Sequence, residues 1–445
     1  MCGSAPVGTN PRRRWGETMR NRLGPVRRLA RQAIDSDFVR QVGETFMTRV
    51  GLIGIGLVTS ILVTRGLGPE GRGLYALAVT VGALGVQFGN FGLHASNTYF
   101  VARDRSALPV IVDTSLLVGL VFGSAGAGAA WALFSLRPAL APISGPLLLV
   151  ALVWVPLGLT YLLLQNILLG VQEIRAYNVI EVTSRLVAVA LLAAVILADR
   201  VNPVSAVSAG LGALAVGTAS VLLRVRGSLA HPRIATRSEM AGYLRYGLKS
   251  YGASLLAYAV TRTDLFVIHA LAGDRDTGLF SVASSLADNV YLIPTIIGSL
   301  LFPRLSAMTG LAEKRSLTRR TAAVSTLLTG GLALVLCGLA RPLIVLLFGA
   351  GFAPAAPALR WLLAGAVVFP LMNATAQLLG ALGNSVWYVV TWGAAFALKM
   401  LVSYYVVKHL GFAWAGLGNA FVWVFALGAT KLIIGKGWYA EASHG

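Results

Sequence analysis

The chain has 445 residues, of which 56% are hydrophobic and 12% are charged. Ordinary soluble domains carry about 25% charged residues, so this composition excludes a soluble enzyme, a disordered chain and a fibrous protein. The 37 basic and 17 acidic residues give a formal net charge of +20. In a membrane protein this excess indicates basic loops on the cytoplasmic side, and we expect no nucleic-acid partner. The apolar stretches are longer than the alternating segments of a β-barrel, which predicts an all-α integral membrane protein.

The first 44 residues are predicted to form a basic cytoplasmic tail. Nine arginines and three acidic residues lie within the first 40 positions. No apolar run follows the early arginines, so the segment lacks the pattern of a cleaved signal peptide. Residues 24–40 could form a basic helix on an anionic membrane surface. We favour the simpler interpretation, a disordered segment whose charge sets the topology.

Twelve apolar runs follow the tail, each long enough to cross a bilayer in about 20 residues. They lie at 45–65, 73–100, 108–135, 145–169, 177–198, 204–224, 246–271, 278–302, 321–348, 357–380, 385–407 and 412–434. An even number of spans places both termini on one side. With that arrangement, 25 of the 37 basic residues lie on the side of the termini, 7 on the opposite side and 5 within spans. The asymmetry predicts a multi-pass protein with both termini in the cytoplasm.

A weak internal repeat divides the spans into two groups of six. In 68–75 and in 273–280, a Gly is followed five residues later by Gly-Leu-aromatic, and the Leu-Leu-Gly of 168–170 recurs at 378–380. The repeat predicts two six-helix lobes related by a pseudo-twofold axis along the membrane normal, with a substrate site between them. The predicted domains are the tail 1–44, the lobes 45–225 and 246–435, the basic cytoplasmic linker 226–245 and a short cytoplasmic tail 436–445.

Four stretches, spread over nearly the whole chain, resemble the polysaccharide (O-antigen-type) flippases. They are Leu-Val-Thr-Arg-Gly-Leu-Gly-Pro at 62–69 with Gly-Leu-Tyr at 73–75, Asp-Leu-Phe-Val at 264–267 with Gly-Leu-Phe-Ser-Val-Ala at 278–283, Leu-Phe-Pro-Arg-Leu-Ser at 301–306, and Gly-Ala-Leu-Gly-Asn at 380–384. This family shares a superfamily with the lipid II flippases and the multidrug-extruding cation antiporters. The resemblance implies a MATE-like fold of about twelve transmembrane helices in two lobes, which works by alternating access.

The same resemblance implies a function in surface polysaccharide biosynthesis, such as the O-antigen of lipopolysaccharide or an exopolysaccharide. The substrate would be an undecaprenyl-diphosphate-linked oligosaccharide, moved from the cytoplasmic to the outer leaflet of a bacterial inner membrane. The protein would be a monomeric transporter rather than an enzyme, without a cofactor. A polysaccharide polymerase and co-assembly proteins would be its protein partners.

Two other functions are weighed against this one. A cation-coupled multidrug antiporter of the same fold would favour an acidic, aromatic cavity, whereas a diphosphate favours arginine. A membrane enzyme such as a polymerase is disfavoured because the predicted outer loops are short.

No Walker-type loop is present, so ATP is not expected to drive transport directly. The two cysteines and five scattered histidines predict neither a structural disulfide nor a metal site.

Three basic residues within spans are candidate ligands for the diphosphate, since ionisable groups in a membrane are functional candidates by default. Arg49 resembles an early first-helix arginine of the lipid II flippases, although it could instead extend to the membrane boundary. Arg262 is the preferred phosphate ligand, with an interhelical pair to Asp288 as the alternative. Lys399 has no nearby partner in sequence, and it could serve the cavity or a cation site.

Two acidic residues are candidates for ion coupling or charge pairing. Asp264 lies two residues after Arg262, so the two side chains point about 200° apart on a helix and cannot pair locally. Asp288 precedes Pro294 in a pattern that resembles the eighth helix of the lipid II flippases. Asp113 is expected to cap the start of the third span. Possible cavity-wall residues are His94, Asn97, Tyr258, Asn373 and Gln377.

Overall fold

The computed structural model describes residues 36–227, 233–383 and 386–437. Most of the predicted basic tail, residues 228–232 of the predicted linker and residues 438–445 lie outside the described residues. The chain divides into two compact units, Met1–Leu52 and Ile53–Gly445. The α-helices are Ser36–Asn90, Leu93–Arg103, Leu108–Leu117, Gly123–Leu136, Gly145–Gly170, Ile174–Leu197, Pro203–Val225, Arg237–Ala307, Leu311–Phe348, Ala356–Leu382, Val386–Leu410 and Ala415–Lys436.

Ten helical segments of the described chain are long and apolar enough to cross a membrane. Two of them, Met47–Asn90 and Tyr251–Ala307, have 44 and 57 residues. Straight helices of these lengths would extend about 66 and 86 Å, against a hydrocarbon layer of about 30 Å. Each is broken once, at Gly68 (φ 65°) and at Gly273 (φ 82°). Each therefore supplies two spans, and the predicted all-α fold of about twelve spans is confirmed.

The two breaks fall on the repeated glycines because positive φ angles strain any residue with a Cβ atom. We number the spans 1 to 12 in chain order. Spans 1 and 2 meet at Gly68, spans 7 and 8 meet at Gly273, and span 3 comprises 108–136. The side of the bundle with these two junctions is called the Gly68 end. The opposite side, which carries residues 233–236 before span 7, is called the linker end.

Several predicted boundaries are corrected by the backbone. Predicted span 2 continues to residue 100, but its helix ends at Asn90, because Phe91 (φ 46°) and Gly92 (φ 75°) turn the chain before the helix Leu93–Arg103. Span 3 contains a π-helical turn at Val118–Phe122. The helix that contains span 7 begins at Arg237, within the predicted linker 226–245.

The linker end shows why this helix begins at Arg237. Thr236 and Glu239 form a capping box, with the Thr236 backbone N–H donating to Glu239 over 2.8 Å. These hydrogen bonds hold the pKa of the Glu239 carboxyl below its usual value. Asp113 is not a helix cap: it lies in the second turn of its helix and accepts a 2.7 Å hydrogen bond from the Arg233 backbone N–H. Asp113 thus ties the linker to span 3.

The two lobes meet through a reciprocal contact at the Gly68 end. A methyl group at Gly73 would overlap the carbonyl oxygen of Asp274, and one at Gly278 would overlap the carbonyl oxygen of Pro69. Pro69 and Asp274 hold equivalent positions in the repeat, as do the two glycines. Such mutual contacts are characteristic of a twofold axis, so the predicted pseudo-symmetry has a direct structural counterpart.

Further hydrogen bonds join the lobes at both ends. At the Gly68 end, Arg65 of span 1 donates from Nε to the Leu347 carbonyl at 2.8 Å and from Nη2 to the Leu346 carbonyl at 2.6 Å. At the linker end, Ser96 donates to the Tyr243 carbonyl at 2.6 Å, and Tyr251 donates to the Phe88 carbonyl at 3.0 Å. Spans 1, 2 and the helix after span 2 therefore contact the second lobe on both sides of the bundle.

Candidate functional site

Arg262 of span 7 lies beside Asp288 of span 8 in the second lobe. Its Nη1 is 3.2 Å from the Asp288 Oδ2, and the two side chains are 27% and 46% exposed. One helical turn earlier, Tyr258 places its ring centroid 5.6 Å from the guanidinium carbon, within range of a cation–π contact. The structure therefore brings together three of the predicted residues. Partial exposure leaves the guanidinium able to take another anion.

A pocket of about 230 Å³ opens beside this pair. Spans 7, 8, 10 and 12 line it with two kinds of side chain: polar groups that can match hydroxyls, and flat aromatic rings. The polar members are Thr261, Arg262, Ser284, Asp288, Thr295 and Asn419, and the aromatic ones are Tyr291, Phe369 and Trp423. The lining thus combines hydrogen-bonding groups with flat apolar surfaces next to a charged pair.

Two buried polar atoms in this pocket lack a hydrogen-bond partner among the described residues. They are the Asn419 Oδ1 and the Trp423 Nε1, whose residues are 7% and 3% exposed. The Trp423 Nε1 lies close to the Tyr291 hydroxyl but does not reach regular hydrogen-bond geometry with it. Leaving a buried donor or acceptor unsatisfied costs about 1–3 kcal/mol. Such atoms in a pocket lining are available to a bound molecule, and each calls for an explanation.

The aromatic side of the pocket is rigidly packed. The Tyr291 and Phe369 rings lie edge to face with centroids 4.9 Å apart, and the Phe369 and Trp423 centroids are 5.2 Å apart. Tyr291 also donates to the Leu362 carbonyl at 3.2 Å, which ties span 8 to span 10. Mutual packing of this kind fixes the rotamers of the rings and so preforms the surface they present.

Asp264 and Lys399 form a separate, fully buried site. The Lys399 Nζ is 2.7 Å from the Asp264 Oδ2, and the side chains are 0% and 2% exposed. Ser403, one turn after Lys399, donates to the Asp264 Oδ1 at 2.6 Å. Gly418 of span 12 covers the ammonium, since a methyl group there would lie 3.2 Å from Nζ. Arg262 and Asp264 thus serve different sites, as their helical spacing predicts.

The remaining predicted wall residues lie on helix–helix contacts. Asn97 is buried and donates to the Ser115 Oγ at 2.8 Å and the Leu163 carbonyl at 3.1 Å. Asn373 donates to the Pro294 carbonyl at 2.7 Å, and Gln377 donates to the Asn373 Oδ1 at 3.4 Å. His94 is partly buried, with its Nδ1 2.7 Å from the Asn90 Nδ2. Asn97 therefore joins the helix after span 2 to spans 3 and 4, and Asn373 joins span 10 to span 8.

Arg49 lies in the unit Met1–Leu52 with an exposed side chain. Its role as a phosphate ligand stays a prediction.

A second cavity, about 720 Å³, lies among spans 2, 3 and 4 of the first lobe. Every side chain of its described lining is apolar. The lining is rich in Phe, including Phe88 and Phe122, and in Gly and Ala from the span 3 segment 123–130. One member comes from the other lobe: Phe266 of span 7, one helical turn after Arg262.

Sequence reasoning missed Asn419 and Trp423. Trp in a span is most often a residue of the aromatic belt at the membrane interface. The position of Trp423 alone therefore did not indicate a binding site. The available signal was the spacing: Asn419 precedes Trp423 by four residues, which places a polar and an aromatic side chain on one face of an apolar helix.

Comparisons with known proteins agree with this architecture. The family described as "Polysaccharide biosynthesis protein" matches residues 39–309, more than half of the chain. The succinoglycan biosynthesis transport protein ExoT of Rhizobium meliloti (strain 1021) is 24% identical over 413 residues, which cover 90% of this chain and 79% of that protein.

Two solved structures are similar over most of their length. The lipid II flippase MurJ in an inward closed conformation has a TM-score of 0.70 at 12% identity, covering 90% of this chain and 88% of that one. An inward-facing multidrug resistance MATE family transporter of the MOP superfamily has a TM-score of 0.65 at 17% identity, covering 86% and 94%. At these identities the likeness shows the fold, which confirms the MATE-like architecture.

Proposed function

Because the chain belongs to the polysaccharide biosynthesis protein family, we propose that it flips an undecaprenyl-diphosphate-linked oligosaccharide from the cytoplasmic to the outer leaflet of a bacterial inner membrane. The product serves a surface polysaccharide, and the relative named for succinoglycan transport makes an exopolysaccharide the first class to test. Both termini are cytoplasmic in this proposal, and a polymerase with its co-assembly proteins receives the product. The protein acts as a monomer, without catalytic chemistry or a cofactor.

One observation carries the proposal: a mostly buried arginine in a polar pocket within the membrane-spanning region. The diphosphate is the costly part of the substrate, because isolated charge is strongly disfavoured in an apolar medium. Arginine offers a permanently charged fork of donors that matches phosphate geometry. Arg262 already has its charge compensated by Asp288, so exchanging that carboxylate for a phosphate keeps the guanidinium paired throughout.

The exchange leaves Asp288 without its partner. A carboxylate released in this way can take up a proton or a cation, which couples substrate binding to an ion gradient. Asp264 is less suited to this step, since Lys399 and Ser403 already occupy both of its oxygens. Arg49 is retained as a second phosphate ligand early in the path.

Movement between leaflets follows from the contacts that join the lobes. The Arg65 hydrogen bonds and the reciprocal glycine contact close the Gly68 end. The Ser96 and Tyr251 hydrogen bonds close the linker end. Alternating access requires these two sets of contacts to open in turn, so that the Arg262 pocket, whose described lining comes from the second lobe, is reached from each side in succession.

The decisive experiment is a deletion strain complemented with wild type, Arg262→Ala or Arg262→Lys. Deletion should abolish the surface polysaccharide and trap lipid-linked repeat units inside the cell. We expect Arg262→Ala to lower the flipping rate in proteoliposomes about a hundredfold, because it removes the phosphate ligand and leaves Asp288 unpaired. Arg262→Lys should restore little of this loss, since a point charge lacks the fork.

Arg360→Ala is the matched control. Arg360 also lies in a span, but it is exposed and donates to the Cys337 carbonyl at 3.2 Å, outside the Arg262 pocket. It should flip substrate at the wild-type rate. Normal flipping by purified Arg262→Ala would overturn the phosphate assignment. Normal polysaccharide in the deletion strain, together with a changed drug-sensitivity profile, would favour the multidrug antiporter instead.

A further inference from the structure

We propose that the aromatic pocket beside Arg262 binds a single sugar ring, the one attached directly to the diphosphate. The inference rests on the proposed function and goes further, because it names the part of the headgroup that the protein recognises. Asn419 and Trp423 are the recognising residues. Sugars further along the oligosaccharide lie outside the pocket.

The unpartnered atoms carry the first step. The Trp423 Nε1 is a donor that lies close to the Tyr291 hydroxyl, and the Asn419 Oδ1 is an acceptor. Both atoms are buried in the pocket lining, and neither makes a hydrogen bond of regular geometry among the described residues. A hydroxyl group is at once a donor and an acceptor. One sugar hydroxyl, or two neighbouring ones, can therefore satisfy both atoms. A purely hydrocarbon or purely anionic ligand would leave at least one of them unsatisfied.

The local structure of span 12 holds these two atoms in register. Asn419 and Trp423 are four residues apart, so they lie one above the other on the same helix face. Trp423 is fixed by its contacts with Phe369, at 5.2 Å between centroids, and with Trp392, at 6.1 Å. The donor and the acceptor are thus presented by a rigid helix rather than by a loop.

The shape of the pocket sets the size of the ligand. Its volume of about 230 Å³ corresponds to roughly eight water molecules at about 30 Å³ each. That space admits one sugar ring but no oligosaccharide. The rings of Tyr291, Phe369 and Trp423 supply an apolar wall for the C–H face of the sugar, and Thr261, Ser284 and Thr295 supply further hydroxyl partners.

Connection to the diphosphate selects which sugar enters. Arg262 and Asp288 line the same pocket as Asn419 and Trp423. A diphosphate held at Arg262 leaves only its directly bonded sugar within reach. Every later intermediate of a growing lipid-linked repeat unit shares that first sugar. The pocket therefore recognises the sugar bonded to the diphosphate and accepts different sugars at the distal end of the oligosaccharide.

The test separates the sugar from the phosphate. The full-length protein in lipid nanodiscs is titrated with undecaprenyl diphosphate and with undecaprenyl diphosphates that carry glucose, galactose or N-acetylglucosamine. For wild type we expect at least one glycosylated lipid to bind about tenfold more tightly than the bare diphosphate, as satisfying two buried polar atoms should achieve. Trp423→Phe and Asn419→Leu should each remove most of this preference, while binding of the bare diphosphate changes less than about twofold.

Trp361→Phe is the matched control. Trp361 lies on span 10 and packs against Trp414 with ring centroids 4.6 Å apart, and it is absent from the pocket lining. It should keep the sugar preference, whereas Arg262→Ala should weaken both kinds of lipid. Thermal unfolding of each variant confirms that it is folded.

The possible failures are distinct. A wild-type protein that binds all four lipids equally, or a preference that survives in both Trp423→Phe and Asn419→Leu, would overturn the sugar site. In either case the flippase stands if proteoliposomes still flip the lipid-linked oligosaccharide. A wild-type protein that binds none of the lipids and flips none would overturn the proposed function itself.

Discussion

The two cavities described above differ in chemistry although the lobes around them share one architecture. The cavity of about 720 Å³ in the first lobe is apolar throughout its described lining, whereas the pocket of about 230 Å³ in the second lobe combines Arg262, Asp288 and unpartnered buried atoms with aromatic rings. Polar and charged groups are expensive in a membrane and persist where they serve function. The two lobes therefore share the arrangement of their helices but differ in the side chains that line their cavities.

The two cavities are neighbours through span 7. Arg262 lines the polar pocket and Phe266 lines the apolar cavity, and four residues along a helix are about 6 Å. One helix face therefore presents an anion ligand and a hydrocarbon surface in succession. An amphiphilic lipid carries the same two chemistries at a similar spacing.

We expect the largest loss of stability when the buried ion pair of the second lobe is broken. Lys399→Ala leaves Asp264 buried without its counter-ion, which should lower the free energy of unfolding by about 3–5 kcal/mol. The double variant Lys399→Met with Asp264→Leu should recover most of that loss, because an apolar pair needs no compensation. Thermal unfolding in detergent measures both.

Lys408→Ala provides the comparison for this prediction. Lys408 lies on the same helix as Lys399, but it is exposed and contacts Tyr404, whose hydroxyl is 3.3 Å from its Nζ. We expect its unfolding temperature to match wild type. Equal stability of Lys399→Ala and Lys408→Ala would refute the idea that the buried pair supports the second lobe.

An intermediate effect is expected where the two lobes are alike. Gly278→Ala places a methyl group against the Pro69 carbonyl, and Gly73→Ala does the same to Asp274. The backbones must separate, which should cost about 1–3 kcal/mol and hold the Gly68 end open. Spin-label distances across this end should lengthen equally in the two variants, and flipping should slow. Gly338→Ala, which meets no atom within 4 Å, should leave both measurements unchanged.

We expect the smallest change in stability from a substitution that extends into the apolar cavity. Gly126 lines it, and a Cβ atom there would meet no atom within 4 Å. We expect Gly126→Leu to change the unfolding free energy by less than about 0.5 kcal/mol while it fills part of the cavity. Gly128→Leu, equally open but absent from that lining, is its control.

Gly85→Leu in the same cavity should cost about 1–3 kcal/mol, because its Cβ would approach Val155 to 2.5 Å. Calorimetry of the three variants would contradict the cavity geometry if they were equally stable.

Much of the fold was accessible from the sequence because span length and glycine position follow simple rules. Runs of about 20 apolar residues predicted the spans, and the repeated glycines marked the breaks at Gly68 and Gly273. The end of span 2 at Asn90 was missed, since Phe91 and Gly92 continue an apolar pattern and hydropathy carries no information on φ. The spacing of Arg262 and Asp264 predicted different partners for the two charges.

The site was less accessible because its partners are distant in sequence. Asp264 and Lys399 are 135 residues apart, and each appeared isolated until the fold paired them. Hydrogen-bond satisfaction is a property of the packed structure, so the unpartnered atoms of Asn419 and Trp423 could not be recognised beforehand.

The reciprocal contact between Gly73 and Gly278 has a consequence for how such a chain can evolve. In a symmetric pair of identical six-span chains, a single codon would specify both glycines, and one substitution would disturb the contact twice. Fusion into a single chain gives each glycine its own codon, so selection can relax one contact while the other is kept. Substitutions in the joined chain can therefore weaken the contacts at the Gly68 end one at a time. In a symmetric dimer, each substitution would weaken both contacts together.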